Sequence, residues 1–233
     1  MSKKIIFGLL TALLALSLIG CGGNDDSAKT VEPAPTVPKP EYSADKAILA
    51  YAQLYAYGLV EDDIKAVTGL TDEEIEAAQN EFFEPITESF REYPLSEENV
   101  EKMVGQYVKK LRLNMDIKTE ISKDDLKSPI VELTATTIKA EDLDAVVEKN
   151  TDMVALGEAM SELQKQGMTE EQLKANTEFQ KFVLESISRF IDEFPLNREA
   201  TIKVPCKMIQ GSDGKMYWAP VDADKVKNFV AGD

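Results

Sequence analysis

Few side chains in this 233-residue chain could do chemistry, because it contains no histidine. Without imidazole there is no Ser-His-Asp or Cys-His pair, no His-based zinc site and no imidazole general base. The Cys206 thiol therefore lacks the base that a catalytic cysteine wants. Its spacing with Ile202, Val204 and Met208 predicts a small buried hydrophobe on a strand. Tyr51, Tyr55, Tyr217 and Trp218, with Tyr57 beside them, are amphipathic aromatics of the kind that line an apolar ligand or partner site, although the same spacing also suits a core. The acidic clusters Glu61-Asp62-Asp63, Asp124-Asp125 and Glu141-Asp142 with Asp144 lack the Asp-x-Asp-x-Asp-Gly spacing and distal Glu of a calcium loop. They read as solvated charge and as acids favoured at helix N-termini. There is no Gly-x-Gly-x-x-Gly, Walker loop or Gly-x-Ser-x-Gly, so neither cofactor nor metal is expected. Nothing selects an acid–base pair from the 42 carboxylates.

The elements that must position these residues follow from period. Ile48, Tyr51, Ala52, Tyr55 and Leu59 recur at three- and four-residue steps, predicting a helix over 44–57 that stops at Gly58. A short helical turn is expected at 62–67. Thr71 with Glu74 forms a capping box. The helix it opens carries Ile75, Ala78, Phe82, Ile86, Phe90 and Tyr93, read as buried, and ends before Pro94. Ser96 caps the next, with Val100, Met103, Val104, Tyr107 and Leu111. Alternation from Leu113 to Ile121 predicts a strand with one wet face, and 130–138 a β-branched second strand. Helical spacing returns from Leu143 to Leu163. A second capping box, Thr169 with Gln172, opens a helix running to Phe194. Strands at 201–209 and 215–219, a turn at Gly211-Ser212-Asp213-Gly214 and a short helix at 223–230 close the chain. The expected class is α+β, antiparallel strands covered by amphipathic helices.

The amino terminus differs in kind. Lys3 and Lys4 precede an apolar run from Ile5 to Ser17, too short for the roughly 20 residues of a membrane-spanning helix, and Leu18-Ile19-Gly20-Cys21 closes it. This segment resembles a bacterial lipoprotein signal peptide and matches the lipobox pattern at all four positions. The resemblance implies removal of residues 1–20 and lipid on the Cys21 sulfur. Residues 21–41, with Pro33, Pro35, Pro38 and Pro40, read as a tether reaching at most roughly 60 Å at about 3.1 Å per residue. A globular domain is expected over 42–233.

The chain carries 26 Lys or Arg against 42 Asp or Glu, a formal charge of -16. Loss of residues 1–20 removes two lysines and no acid, leaving -18. Such a surface repels a phosphate backbone, so nucleic acid is not an expected partner. With Cys21 lipidated, Cys206 has no disulfide partner within the chain.

Two blocks repeat. Residues 69–77 align without gaps with 167–175, and Glu92-Tyr93-Pro94-Leu95-Ser96 answers Glu193-Phe194-Pro195-Leu196-Asn197. This predicts duplication of a helix-helix-strand-strand unit over 42–140 and 141–233, with each capped helix laid on its own two strands and Phe82 and Phe179 as corresponding buried anchors.

The order of helices before antiparallel strands, the lipobox, and the closing hairpin Ile209 to Trp218 with its Asp-Gly-Lys-x-x-Trp segment resemble uncharacterised small lipoproteins of Firmicutes-type bacteria. The carboxy-terminal portion of those proteins is similar to cystatin-like and nuclear-transport-factor-like α+β folds. The long helical stretch 141–194 departs from that plan. The resemblance implies location and fold but no established activity. The expected role is a lipid-anchored binding or interaction module on the extracytoplasmic face of the membrane, its partners membrane lipid through Cys21 and an unidentified protein or small molecule. A carboxylate- or tyrosine-based enzyme and the solute-binding component of a transporter are the alternatives.

Overall fold

The computed structural model describes residues 39–232 except positions 59, 60, 126, 138, 139, 195 and 197. The expected leader, the Cys21 anchor and the tether up to residue 38 lie outside the described residues.

Helix α1, Ala44–Tyr57, is apolar on nearly every side: Ala44, Ala47, Ile48, Tyr51, Ala52, Leu54, Ala56 and Tyr57 are all buried. A helix with that surface belongs inside a core, and its alanines allow close approach to a sheet. It stops at Gly58, whose φ of 61° is left-handed and whose amide donates to the Leu54 carbonyl.

The sheet has four strands, β1 (Ile117–Lys123), β2 (Ile130–Thr137), β3 (Arg198–Gln210) and β4 (Met216–Pro220), antiparallel in the order β1-β2-β3-β4. β3 serves its neighbours by halves, residues 198–205 pairing with β2 and 206–210 with β4. Pro205 marks the changeover, where its carbonyl accepts from the Val221 amide at 2.9 Å. Period two divides the faces. Val131, Leu133 and Ala135 register with Val204, Ile202 and Ala200 on the covered face. On the wet face Glu132 pairs with Lys203 at 3.6 Å, and the Thr134 and Thr201 hydroxyls share a hydrogen bond of 2.8 Å. Helices α1 and α9, Ala223–Ala231, cover the apolar face.

Between them lie α2 (Ile64–Thr68), α3 (Asp72–Arg91) and α4 (Glu97–Asn114); between β2 and β3 come α5 (Ala140–Lys149), α6 (Thr151–Lys165), α7 (Glu170–Ala175) and α8 (Thr177–Glu193). A second core, separate from the sheet, is built by α4, α6, α7 and α8 around Val100, Met103, Leu156, Leu173, Val183 and Ile187. The class is α+β as expected, and both capping boxes form: Thr71 and Glu74 open α3, Thr169 and Gln172 open α7.

Three expectations are corrected. Alternation from Leu113 suggested a strand there, but α4 continues to Asn114, leaving Leu113 73% exposed, and β1 starts at Ile117. The two long helices of the insertion are each broken at an asparagine: Asn150 caps α6 by accepting from the Asp152 and Met153 amides, and Asn176 caps α8 by accepting from the Phe179 amide. An amide side chain that competes for backbone donors ends one helix and begins another.

The third concerns the repeated unit. The capped helices do not lie on the strands of their own copy: α3 packs chiefly on α4 and α1, α7 on α8, and the helices on the sheet are α1, which precedes both blocks, and α9, which follows them. After the first block comes α4, whereas β3 opens at Arg198 after the second. Phe82 is half-buried against the sheet core, while Phe179 is buried in the helical core. An amphipathic stripe demands an apolar partner without naming which, and α1 already occupies the sheet.

Candidate functional site

Helix α3 carries an apolar stripe of length suited to a core, yet of its 20 residues only Ile75 is fully buried. Ala78, Phe82, Ile86 and Phe90 are half-buried because the stripe roofs a cleft in place of closing onto a floor.

Two apolar cavities of about 250 Å³ each, the two lobes of this cleft, lie along α3 and share wall residues. The first lies toward the sheet, among Tyr55 of α1, Ala78 and Phe82 of α3, Leu111 of α4 and Val230 of α9. The second lies toward the helical insertion, among Phe90, Tyr93, Val147, Met153, Ile187 and Phe190. Ile86, Tyr107 and Phe194 stand in the walls of both. Aromatic rings continue along the second lobe: Phe90 meets Tyr107 at 6.5 Å between centroids and Phe190 meets Phe194 at 5.8 Å, both edge to face.

Polar groups gather in the first lobe. Lys227 of α9 forms an ion pair with Glu81 of α3 at its edge, and Tyr55 and the buried Thr137 bring hydroxyls. Burial, reinforced by the carboxylates of Glu81, Asp224 and Glu74, pushes the Tyr55 phenol up to about 12, so it keeps its proton and remains a donor. Among the described residues no basic side chain lines the second lobe, whose charged lining residue is Glu92. Among the described residues nothing in the cleft pairs a nucleophile with a base. The arrangement can bury an apolar body and hold one polar end.

The four aromatic residues singled out from the sequence do not converge. Tyr55 lines the first lobe. Tyr51, one helical turn earlier, is buried with its ring 6.2 Å from that of Tyr55, and burial raises its phenol far above the ordinary range. Tyr217 and Trp218 are neighbours on β4, so their side chains leave opposite faces. Trp218 enters the sheet core, whereas Tyr217 covers Gly69 and Gly211 and donates to Asp213 at 2.8 Å. Tyr57 is structural, its hydroxyl donating to the Met115 carbonyl at 2.8 Å. Cys206 is fully buried on β3, and desolvation pushes its thiol up to about 11.

The residues that sequence reasoning missed are Glu81, Tyr107, Phe194 and Lys227 as cleft residues. Helical spacing places Tyr107 on an apolar face but does not separate a cleft wall from a core wall. Lys227 and Glu81 are 146 positions apart and carry no local signal. Among the described residues there is no group of three or more potential metal ligands, and no helix is long and apolar enough to cross a membrane.

Residues 39–225 match the family model described as a domain of unknown function, DUF5105. The crystal structure of ycdA from Bacillus subtilis, designated a lipoprotein, is similar over 81% of this chain at 19% sequence identity, with a TM-score of 0.46. The present chain spans 55% of that one, about half its length. No curated protein matches.

Proposed function

We propose for this chain, which belongs to the DUF5105 family of domains of unknown function, the role of a lipid-anchored envelope protein whose head binds an apolar partner in the cleft beneath α3. The observation that carries this reading is the cleft: two adjoining apolar lobes roofed by a helix that buries one residue in twenty. Together the lobes fall in the size range of small-molecule sites, and a few polar groups at one end match the usual plan of such sites.

Attachment rests on Cys21, at the end of Leu18-Ile19-Gly20-Cys21. Each buried methylene of an attached lipid adds about 0.8 kcal/mol, so two or three acyl chains hold the head at the membrane durably. The Pro-rich residues 21–41 then serve as spacer. Helix α1, with the shorter α9 on the same face of a four-stranded antiparallel meander, supports the cystatin-like or nuclear-transport-factor-like reading of the sheet half, to which α5 through α8 are an insertion.

Two measurements test the reading. On membrane fractionation Cys21→Ser, once residues 1–20 are removed, should move to the soluble fraction; retention of that processed protein at the membrane would sink the anchor. A nonionic solvatochromic dye should bind the folded full chain with saturation, and Ile86→Glu, at the junction of the lobes, should remove that binding. Undiminished binding by a folded Ile86→Glu protein would sink the cleft.

A further inference from the structure

We infer that the cleft takes a single fatty-acyl chain, laid lengthwise beneath α3 with its carboxylate at Lys227. This inference rests on the binding reading above and names its ligand class.

Shape comes first. The lobes succeed one another along α3 from Ala78 to Phe90, a run of about 18 Å at 1.5 Å per residue. A bilayer's hydrocarbon core is about 30 Å thick, so one leaflet's acyl chain extends about 15 Å. A chain of membrane-lipid length therefore matches the long axis of the cleft. Each lobe alone is small, and Ile86, Tyr107 and Phe194 stand in the wall that the two lobes share. A rigid ring system spanning both lobes would have to displace these side chains, whereas a flexible chain can bend past them. Beyond that point the described lining residues include Phe90, Met153, Ile187 and Phe190 and no cation.

Charge sets the direction. Among the described residues Lys227 is the one basic side chain lining either lobe; Glu81 lines the first lobe and Glu92 the second, so an anionic head finds its cation in the first lobe, where it takes the place of Glu81 on Lys227. The Lys227–Glu81 pair is partly solvated, with side chains 34% and 58% exposed, and exposed ion pairs of this kind are weak. Glu81 can turn to water while a ligand carboxylate takes its place. Tyr55, protonated throughout the physiological range, lines the same lobe and supplies a second donor.

The test uses the full chain carrying Cys21→Ser, stripped of lipid, so that its own anchor does not compete. A nonionic solvatochromic dye reports occupancy, with palmitate, hexadecanol and octanoate as competitors. Palmitate should displace the dye, hexadecanol should bind about tenfold more weakly for want of the charged hydrogen bond, and octanoate, which fills one lobe, more weakly still. Lys227→Gln should weaken palmitate about tenfold and leave hexadecanol unchanged; this side chain is partly exposed, so the fold is not at stake. Equal competition by palmitate and hexadecanol, unaltered in Lys227→Gln, would overturn the placement of the carboxylate. Dye binding that neither palmitate nor hexadecanol displaces would overturn the acyl-chain inference while the binding reading stands. A folded protein that binds neither dye nor fatty acid would overturn both.

Discussion

Tyr107 of α4 meets Phe194, at the end of α8, edge to face, with ring centroids 5.9 Å apart and planes inclined at 78°. Tyr107 packs against both the sheet core and the helical core, so this contact joins the two halves of the head where the lobes of the cleft adjoin. Phe194 is 5% exposed, and half-buried Ile86 stands with it in both lobe walls. The Tyr107–Phe194 pair is therefore at once a packing contact and part of the wall that the two lobes share.

Truncation there should be costly. Phe194→Ala removes a buried ring and its edge-to-face partners, and is expected to destabilise the protein by about 3–5 kcal/mol. Urea unfolding measures this directly. A loss under about 1 kcal/mol would mean that the two cores do not depend on this joint.

Two glycines separate backbone strain from crowding. Gly69 has φ 72°, and a Cβ there would lie 2.4 Å from the Tyr217 ring; Gly167 has φ 84° with nothing within 4 Å. Gly167→Ala should cost about 1 kcal/mol, the left-handed penalty alone. Gly69→Ala adds displacement of Tyr217 and should cost about 2–4 kcal/mol. Equal melting temperatures for the two variants would contradict the close approach of Tyr217 to α2.

The buried thiol predicts an alkaline loss of stability. Desolvation raises Cys206 from 9.0 to about 11 in the folded chain. Between those values the native state holds a proton that the unfolded chain releases, so stability is full below about pH 9 and falls as pH rises toward 11. The loss is about 2–3 kcal/mol at one pKa unit per 1.36 kcal/mol. Tyr51 and Tyr55, also raised by burial, act in the same direction at higher pH. Cys206→Ala should flatten the pH 9–11 segment of the unfolding free energy, and a water-soluble thiol reagent should label native Cys206 slowly; an unchanged slope or fast labelling would count against its burial.

Helix-breaking asparagines should behave as caps. Asn150→Ala and Asn176→Ala each remove acceptors for helix N-terminal amides and should cost about 1 kcal/mol. Ser43, at the start of α1, makes no side-chain cap bond, so Ser43→Ala should stay within a few tenths of a kcal/mol. Comparable losses at all three sites, read by urea unfolding, would show that capping is not what divides the insertion.

Local rules carried much of this fold. Thr71 with Glu74 and Thr169 with Gln172 announce helix starts because a capping box uses only residues three apart. The strand of Cys206 was legible because period two is a local property, as was the helical spacing of Ile48, Tyr51 and Ala52 in α1. Leu113 shows the limit: residues 113–121 satisfy alternation, but the hydrogen bonds of α4 extend through Asn114, and the last turn of a helix outweighs one strand-like position.

By itself the chain determined the α+β class, the lack of imidazole chemistry, the acidic charge and the apolar faces of its elements, since each depends on composition or on neighbours a few residues away. Which faces meet was decided only by the tertiary structure. The stripe of Phe82, Ile86 and Phe90 has the same pattern whether it closes on a floor or roofs a cleft, and adjacent Tyr217 and Trp218 part to opposite faces of β4. Burial is nondirectional: it requires that apolar surface leave water but assigns no partner. The partners were set by α1 occupying the sheet and by the insertion after β2, which carries Phe190 and Phe194 to Tyr107 and leaves Lys227 beside Glu81.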